Sequence, residues 1–283
     1  MRQGKGSEKL LLRNKREIDL VIFVSLALVR FRILQVSILL LCHSLEDPDT
    51  IMSKSEISIL SFAGIVALIG TIVSIVSPDF FVESYVPEDG FVEWMTVVAL
   101  LFSAGLMIRR AWRLKGKRST FFLFVTCFAA LIFIFGAGEE ISWGQRIFGI
   151  ETPEWLEENN KQQETNFHNL VIGDVSMNKL IFSKILGVCL LFYLLIIPIT
   201  YRFKPKFARW IDSMGVPLPS GIYVTIWILT ILVTEFVVGT GKRGELREFC
   251  LTFVLAAQLL APLNPWIYKG KTATELARPV NWW

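Results

Sequence analysis

Apolar runs recur along this chain, separated by short charged stretches. Six of them are about 17 to 21 residues long: Ile57–Val76, Val92–Ile108, Thr120–Gly136, Leu180–Thr200, Gly221–Val238 and Leu246–Leu263. At about 1.5 Å of rise per residue, each matches a hydrocarbon core of about 30 Å. None shows the period-two alternation of a membrane barrel strand, so helices are predicted. The pattern predicts an all-α fold, a polytopic transmembrane helix bundle of about six spans. The last run is the weakest, because Arg247 and Glu248 stand at its mouth.

Residues 1–56 do not join this pattern. Ile18–Val29 and Ile33–Cys42 are apolar but separated by Arg30-Phe31-Arg32. One span through them would place two arginines near mid-bilayer, at roughly 2.5–3.5 kcal/mol each. A basic, amphipathic interfacial extension is expected instead, or a start of translation at Met52. No cleavable signal is read there. The predicted organisation is then an extension over 1–56, a membrane domain over 57–263 and a cytoplasmic tail over 264–283.

Charge placement predicts sidedness. Arg109, Arg110, Arg113, Lys115, Lys117 and Arg118 fill the second loop, and Arg202, Lys204, Lys206 and Arg209 the fourth. Lys269, Lys271 and Arg278 follow the last span. The positive-inside rule puts these in the cytoplasm with both termini. The first loop, SPDFFVESYVPEDGF, has no Lys or Arg, and the third is net acidic, so both face outward. Lys242, Arg243 and Arg247 in and after the fifth loop are the exception.

Composition agrees: the chain is 53% hydrophobic, with 22 Phe and 9 Trp. Trp94, Trp143, Trp155, Trp210 and Trp266 fall at predicted interfaces, as in aromatic belts. Cys42, Cys127, Cys189 and Cys250 lie in or beside apolar runs without CxxC spacing, which argues for isolated thiols. His43 and His168 are the only histidines, so one chain cannot build a three-histidine zinc site.

Against this background the stretch from Phe135 to Leu170 stands out, because charge at a membrane boundary is costly. In the predicted topology its polar residues share one side with acids from other spans. Glu88 and Asp89 end the first loop, and Glu93 enters the second span. Glu139 and Glu140 leave the third. Glu164, Asn166, His168 and Asn169 precede the fourth, Glu235 lies near the end of the fifth, and Glu245 and Glu248 open the sixth.

Helical spacing suggests pairings. If the third span continued to Arg146, Glu139, Trp143 and Arg146 would fall at i, i+4 and i+7, giving a Glu139–Arg146 pair. Glu164 and His168 are also i, i+4, the spacing of a Glu that orients a His or of two metal ligands. Asn166 and Asn169 supply neutral hydrogen bonds. Thr152-Pro153-Glu154 resembles a helix start, capped by Thr152, for a short surface helix in the third loop. Glu235 has no local cation, which suggests a buried partner or an altered pKa. Gln258 fits an interhelical hydrogen bond.

The motifs EDGFVEW, GEEISWGQR, ETNFHN and ELREF resemble those of a family of bacterial multi-spanning inner-membrane proteins of unassigned activity, over roughly residues 57–263. The resemblance implies a bacterial inner (cytoplasmic) membrane location. A fainter similarity is to glutamate-dependent intramembrane proteases that process prenylated or bacteriocin substrates, whose motif is EExxxR followed by FxxxH. Here five residues separate Glu140 from Arg146, and Phe167 adjoins His168.

Three functions fit these residues. The first is an enzyme with an outward carboxylate–His site that hydrolyses, or transfers a group on, a lipid or lipid-linked substrate. Its catalytic candidates are Glu139, Glu140, His168 and Glu164. Its binding candidates are Arg146 as an anion clamp, Gln145, Asn166, Asn169, Glu93, Glu235 and Glu248. The cofactor is open; a divalent metal held by the carboxylates and His168 fits the residue types. The second is a membrane scaffold in which the cluster is a structural lock, and the third an ion-coupled carrier. The expected partners are the lipid bilayer and a lipid-borne substrate, not nucleic acid, and the oligomeric state is left open.

Overall fold

A computed structural model describes residues 52–269 of the chain. The expectations for residues 1–51 and for the tail beyond Lys269 lie outside the described residues. The elements are α1 (Lys54–Val76), α2 (Phe91–Leu114), α3 (Thr120–Glu140) and α4 (Glu154–Asn159). A two-residue hairpin follows, β1 (Val171–Ile172) and β2 (Val175–Ser176). Then come α5 (Asn178–Phe203), α6 (Pro205–Met214), α7 (Gly221–Phe236) and α8 (Arg243–Leu260). The fold is an all-α membrane helix bundle.

Each of the six apolar runs forms a helix. α1, α2, α3 and α5, at 23, 24, 21 and 26 residues, are long and apolar enough to cross a membrane, and α7 is apolar but only 16 residues long. The run with the charged mouth became the centre of the bundle. α8 packs against α1, α2 and α7. Leu246, Phe249, Cys250, Phe253, Val254 and Ala257 form a buried stripe at spacings of three and four, and Gln258 is buried beside them. Gln258 accepts from Trp227 Nε1 (3.1 Å) and donates to the Tyr193 hydroxyl (2.6 Å), joining α8 to α7 and α5. The expected interhelical role of this glutamine is therefore present.

α5 is the peripheral helix, with mostly exposed side chains. Its backbone takes the wider π form over Phe192–Ile196. Pro198 explains this turn: it has no N–H, and its ring crowds the carbonyl four residues back, so the helix widens just before it.

The helices alternate in direction, giving the bundle two chemically distinct ends. At the basic end, α1 starts with a capping box: Ser53 Oγ accepts from Glu56 N (3.3 Å), and Glu56 Oε2 accepts from Ser53 N (2.9 Å). The buried Glu56 also accepts from the Tyr223 hydroxyl of α7 (2.5 Å). Asp212 of α6 accepts from Tyr201 (3.0 Å), Asn264 (2.9 Å) and Trp266 (3.0 Å). Arg118 donates to the Ile267 carbonyl (2.9 Å). The packed unit thus runs on to Tyr268. At the other end lie the acids and the polar third loop.

Candidate functional site

The third loop folds back on the end of α3 through a dense polar network. α3 stops at Glu140, and Ser142, Trp143 and Gly144 then adopt φ values of 45°, 56° and 76°. Left-handed backbone costs a non-glycine residue about 1–2 kcal/mol. Ser142 and Trp143 bear this because their side chains are held. Trp143 Nε1 donates to Glu139 Oε1 (2.8 Å), and Ser142 Oγ donates to Glu164 Oε2 (2.5 Å). Gly138 makes room for the folded-back Trp143: a Cβ on Gly138 would stand 2.9 Å from the indole ring.

Glu139 is 2% exposed. Its second oxygen accepts from the backbone N–H groups of Phe167 (2.7 Å) and His168 (2.9 Å). One carboxylate therefore ties α3 to a segment 28 residues later. Asn166, equally buried, donates to Ser142 Oγ (2.9 Å) and Glu164 Oε2 (3.0 Å) and accepts from Asn160 Nδ2 (3.0 Å) and Asn169 N (3.2 Å). Gln145 accepts from Thr165 N (2.6 Å) and donates to Thr152 Oγ1 (2.5 Å). Asn169 donates to Gln162 and sits 3.1 Å from His168 Nε2. Arg146 bridges Asp89 and Glu164, linking the third loop to the first.

These contacts correct two pairings and one helix cap. The left-handed turn rotates Arg146 off the α3 face, so it pairs with Glu164 and Asp89, while Trp143 takes the place beside Glu139. The residues from Gln162 to His168 are turns and bends, so Glu164 and His168 do not share a helix face. His168 instead places Nδ1 3.9 Å from Glu139 Oε2. Burial holds its imidazole below the usual 6.5, against the charges of Glu139 and Glu88, which raise it. The surface helix forms as α4, but Pro153 precedes it and the Thr152 hydroxyl serves the loop network.

Glu235 has its partners in the open. It pairs with Arg243 (2.6 Å) and Arg247 (3.0 Å), all three side chains being 34–41% exposed. Lys242 stands 3.5 Å from Glu88. The three cations that broke the sidedness pattern are thus each matched to an acid at the same end of the bundle.

A second group of acids forms no ion pair of its own, although Lys242 lies within electrostatic reach of Glu93 and Glu245, and Arg247 of Glu248. Glu93 of α2, Glu140 of α3, and Glu245 and Glu248 of α8 lie within electrostatic reach of one another. Glu93 accepts from Asp89 N (2.7 Å). The side chains of Glu140, Glu245 and Glu248 make no hydrogen bond or ion pair with another described residue. Glu140 is half-buried and Glu248 lies at the surface of the bundle. Among the described residues, no three His, Cys, Asp or Glu side chains are arranged to hold a metal ion. The donor set does not fit the divalent metal considered above.

Glu139, Arg146, Glu164, Asn166, His168, Asn169 and Gln145 therefore form one network, while Glu93, Glu140 and Glu248 form another with Glu245. Glu235 belongs to neither. Sequence reasoning missed Ser142, Trp143, Asn160 and Gln162 as parts of the lock. The Gly after Ser142-Trp143 was the available signal, since it marks a turn rather than a continuing helix. No protein-family model matches the chain, and neither a curated protein nor a solved structure matches it.

Proposed function

We propose that this integral membrane protein is an enzyme whose acid–base group is Glu140. It works in the bacterial inner membrane, with the basic end and both termini in the cytoplasm and the acidic end outward. The reaction is hydrolysis of, or group transfer on, a lipid or lipid-linked substrate that approaches from the bilayer. One observation carries this reading: carboxylates from three helices meet at one end of the bundle, and the side chains of three of them make no hydrogen bond or ion pair among the described residues. Gathered carboxylates that outnumber the cations near them take up a proton or a cationic group readily. That is what a general base needs when it accepts a proton from water or a hydroxyl.

In this scheme Glu140 takes the proton of the attacking oxygen as that oxygen bonds to the substrate's acyl or phosphoryl centre, and gives it to the departing oxygen as the bond to that oxygen breaks. Glu248, Glu245 and Glu93 hold the negative charge that keeps Glu140 a base for the proton. Glu139 and Glu164 are positioning residues. They hold the third loop against the end of α3, through Phe167, His168, Ser142 and Arg146.

The test uses detergent-purified full-length protein, a total inner-membrane lipid extract and mass spectrometry. Wild type converts at least one lipid species, and Glu140→Gln does not. Identical lipid profiles for wild type, Glu140→Gln and a no-protein control would sink the enzyme reading. The scaffold reading has its own support, because the Glu139–Asn166–Glu164 network is saturated as a structural lock is. It gains if Glu140→Gln is as active in the cell as wild type while loop-breaking variants are not. Neither reading assigns ion transport.

A further inference from the structure

The basic end holds a recess with different chemistry. Leu106, Arg109, Arg110, Arg113 and Tyr268 line a cavity of about 230 Å³. Arg110 is fixed in its wall. Its guanidinium donates to the Leu259 carbonyl at the end of α8 (2.5 Å) and lies 3.9 Å from the centre of the Tyr268 ring. Tyr268 is fixed in turn by donating to the Gly215 carbonyl (2.8 Å). Arg109 and Arg113 are exposed and make no hydrogen bond or ion pair with another described residue. Three guanidinium groups thus surround one recess, and two of them are free to bind.

Spacing on α2 points to the ligand. Phe102, Leu106, Arg109 and Arg113 lie at i, i+4, i+7 and i+11, one stripe along the helix. Its first half is apolar and its second cationic. The neighbouring stripe of Leu101, Ile108 and Trp112 is exposed as well. From Phe102 to Arg109 the rise is about 10 Å. Such a surface matches a molecule with a phosphate at the membrane boundary and an acyl chain running inward. Arginine's planar fork suits phosphate oxygens.

We propose that this recess binds a phosphate group, that of an anionic phospholipid headgroup, with Arg109 and Arg113 on its oxygens and Arg110 as the fixed positive floor. The site is at the opposite end of the bundle from the acids and does not depend on the enzyme reading.

Native mass spectrometry of the detergent-purified full chain tests it, with phosphatidylglycerol, phosphatidylcholine and inorganic phosphate as probes. Wild type is expected to bind phosphatidylglycerol at least tenfold more tightly than phosphatidylcholine. Arg109→Gln/Arg113→Gln loses that preference, and Arg109→Lys/Arg113→Lys, which keeps the charge but not the fork, weakens it partly. Arg202→Gln/Lys206→Gln removes equal charge elsewhere at the same end and leaves it intact. Displacement of phosphatidylglycerol by equimolar inorganic phosphate would keep the phosphate site but assign it a soluble ligand. Equal loss in both double glutamine variants would mean a diffuse surface field and overturn the proposal. So would an unchanged preference in Arg109→Gln/Arg113→Gln. Both substituted arginines are exposed and unpaired, so a melting curve suffices to show that the variants are folded.

Discussion

Glu139→Gln isolates the lock from the acids beside it. The wild-type carboxylate accepts three hydrogen bonds, from Trp143 Nε1, Phe167 N and His168 N, at 2% exposure. A glutamine keeps one acceptor oxygen and turns an NH₂ group toward donors. It can serve the indole or the two backbone groups, not both. Hydrogen bonds to a charged group contribute about 1.5–3 kcal/mol each, and an orphaned buried donor costs about 1–3 kcal/mol. The expected loss in local stability is about 3 kcal/mol, roughly a hundredfold in the opening equilibrium. Two of the donors are amides, so hydrogen exchange reads the effect directly. The Phe167 and His168 amides should exchange about a hundredfold faster in the variant. Amides in the middle of α8 should not change. Glu154→Gln, on the exposed face of α4, is the control and should leave all of them alone. If Phe167 and His168 exchange within about threefold of wild type, the carboxylate is not the tie described here.

Other consequences follow from the same contacts. Gly138→Ala puts a methyl group 2.9 Å from the Trp143 ring, and overpacking of this kind should lower detergent melting stability by about 1–3 kcal/mol; a variant that melts like wild type would mean the indole does not need that space. Tyr223→Phe strands one buried oxygen of Glu56 and should cost about 1–3 kcal/mol in the same melt, without changing exchange in the third loop. The His168 imidazole titrates lower in the fold than in the unfolded chain, whose value is near 6.5. Below that value the unfolded state binds more protons, so His168 contributes stability above it and the contribution falls as pH falls. The midpoint should therefore drop less in His168→Gln than in wild type between about pH 7 and pH 5, and equal slopes would contradict this.

Hydrophobic run length carried most of the fold: all six apolar runs form helices, and Gln258 bonds across helices. The charged mouth of α8 masks its central place, which its buried stripe from Leu246 to Ala257 reveals. The lock was legible as a list of residues but not as pairs. Helical spacing joined Glu139 to Arg146, and backbone in the left-handed region at Ser142 and Trp143 undid that pairing. Such a turn depends on contacts with residues more than twenty positions away, so local pattern is silent about it. The fifth-loop cations show the opposite case. They looked inconsistent with the acidic side until Glu88 and Glu235 were found beside them. Which acids are left without an ion pair, Glu140, Glu245 and Glu248, is not readable without knowing which acids the nearby cations bridge.

Two adjacent glutamates have opposite roles, and a paired melt of Glu139→Gln and Glu140→Gln in the same detergent tests this most directly. Glu139 sits among donors, so neutralising it should destabilise the protein. Glu140 sits among carboxylates with no partner among the described residues, so neutralising it removes repulsion and should leave the melting midpoint equal to wild type or higher, while abolishing lipid conversion. A Glu140→Gln midpoint lowered as far as that of Glu139→Gln would make Glu140 another strut of the lock, and the functional site would not be where it is placed here.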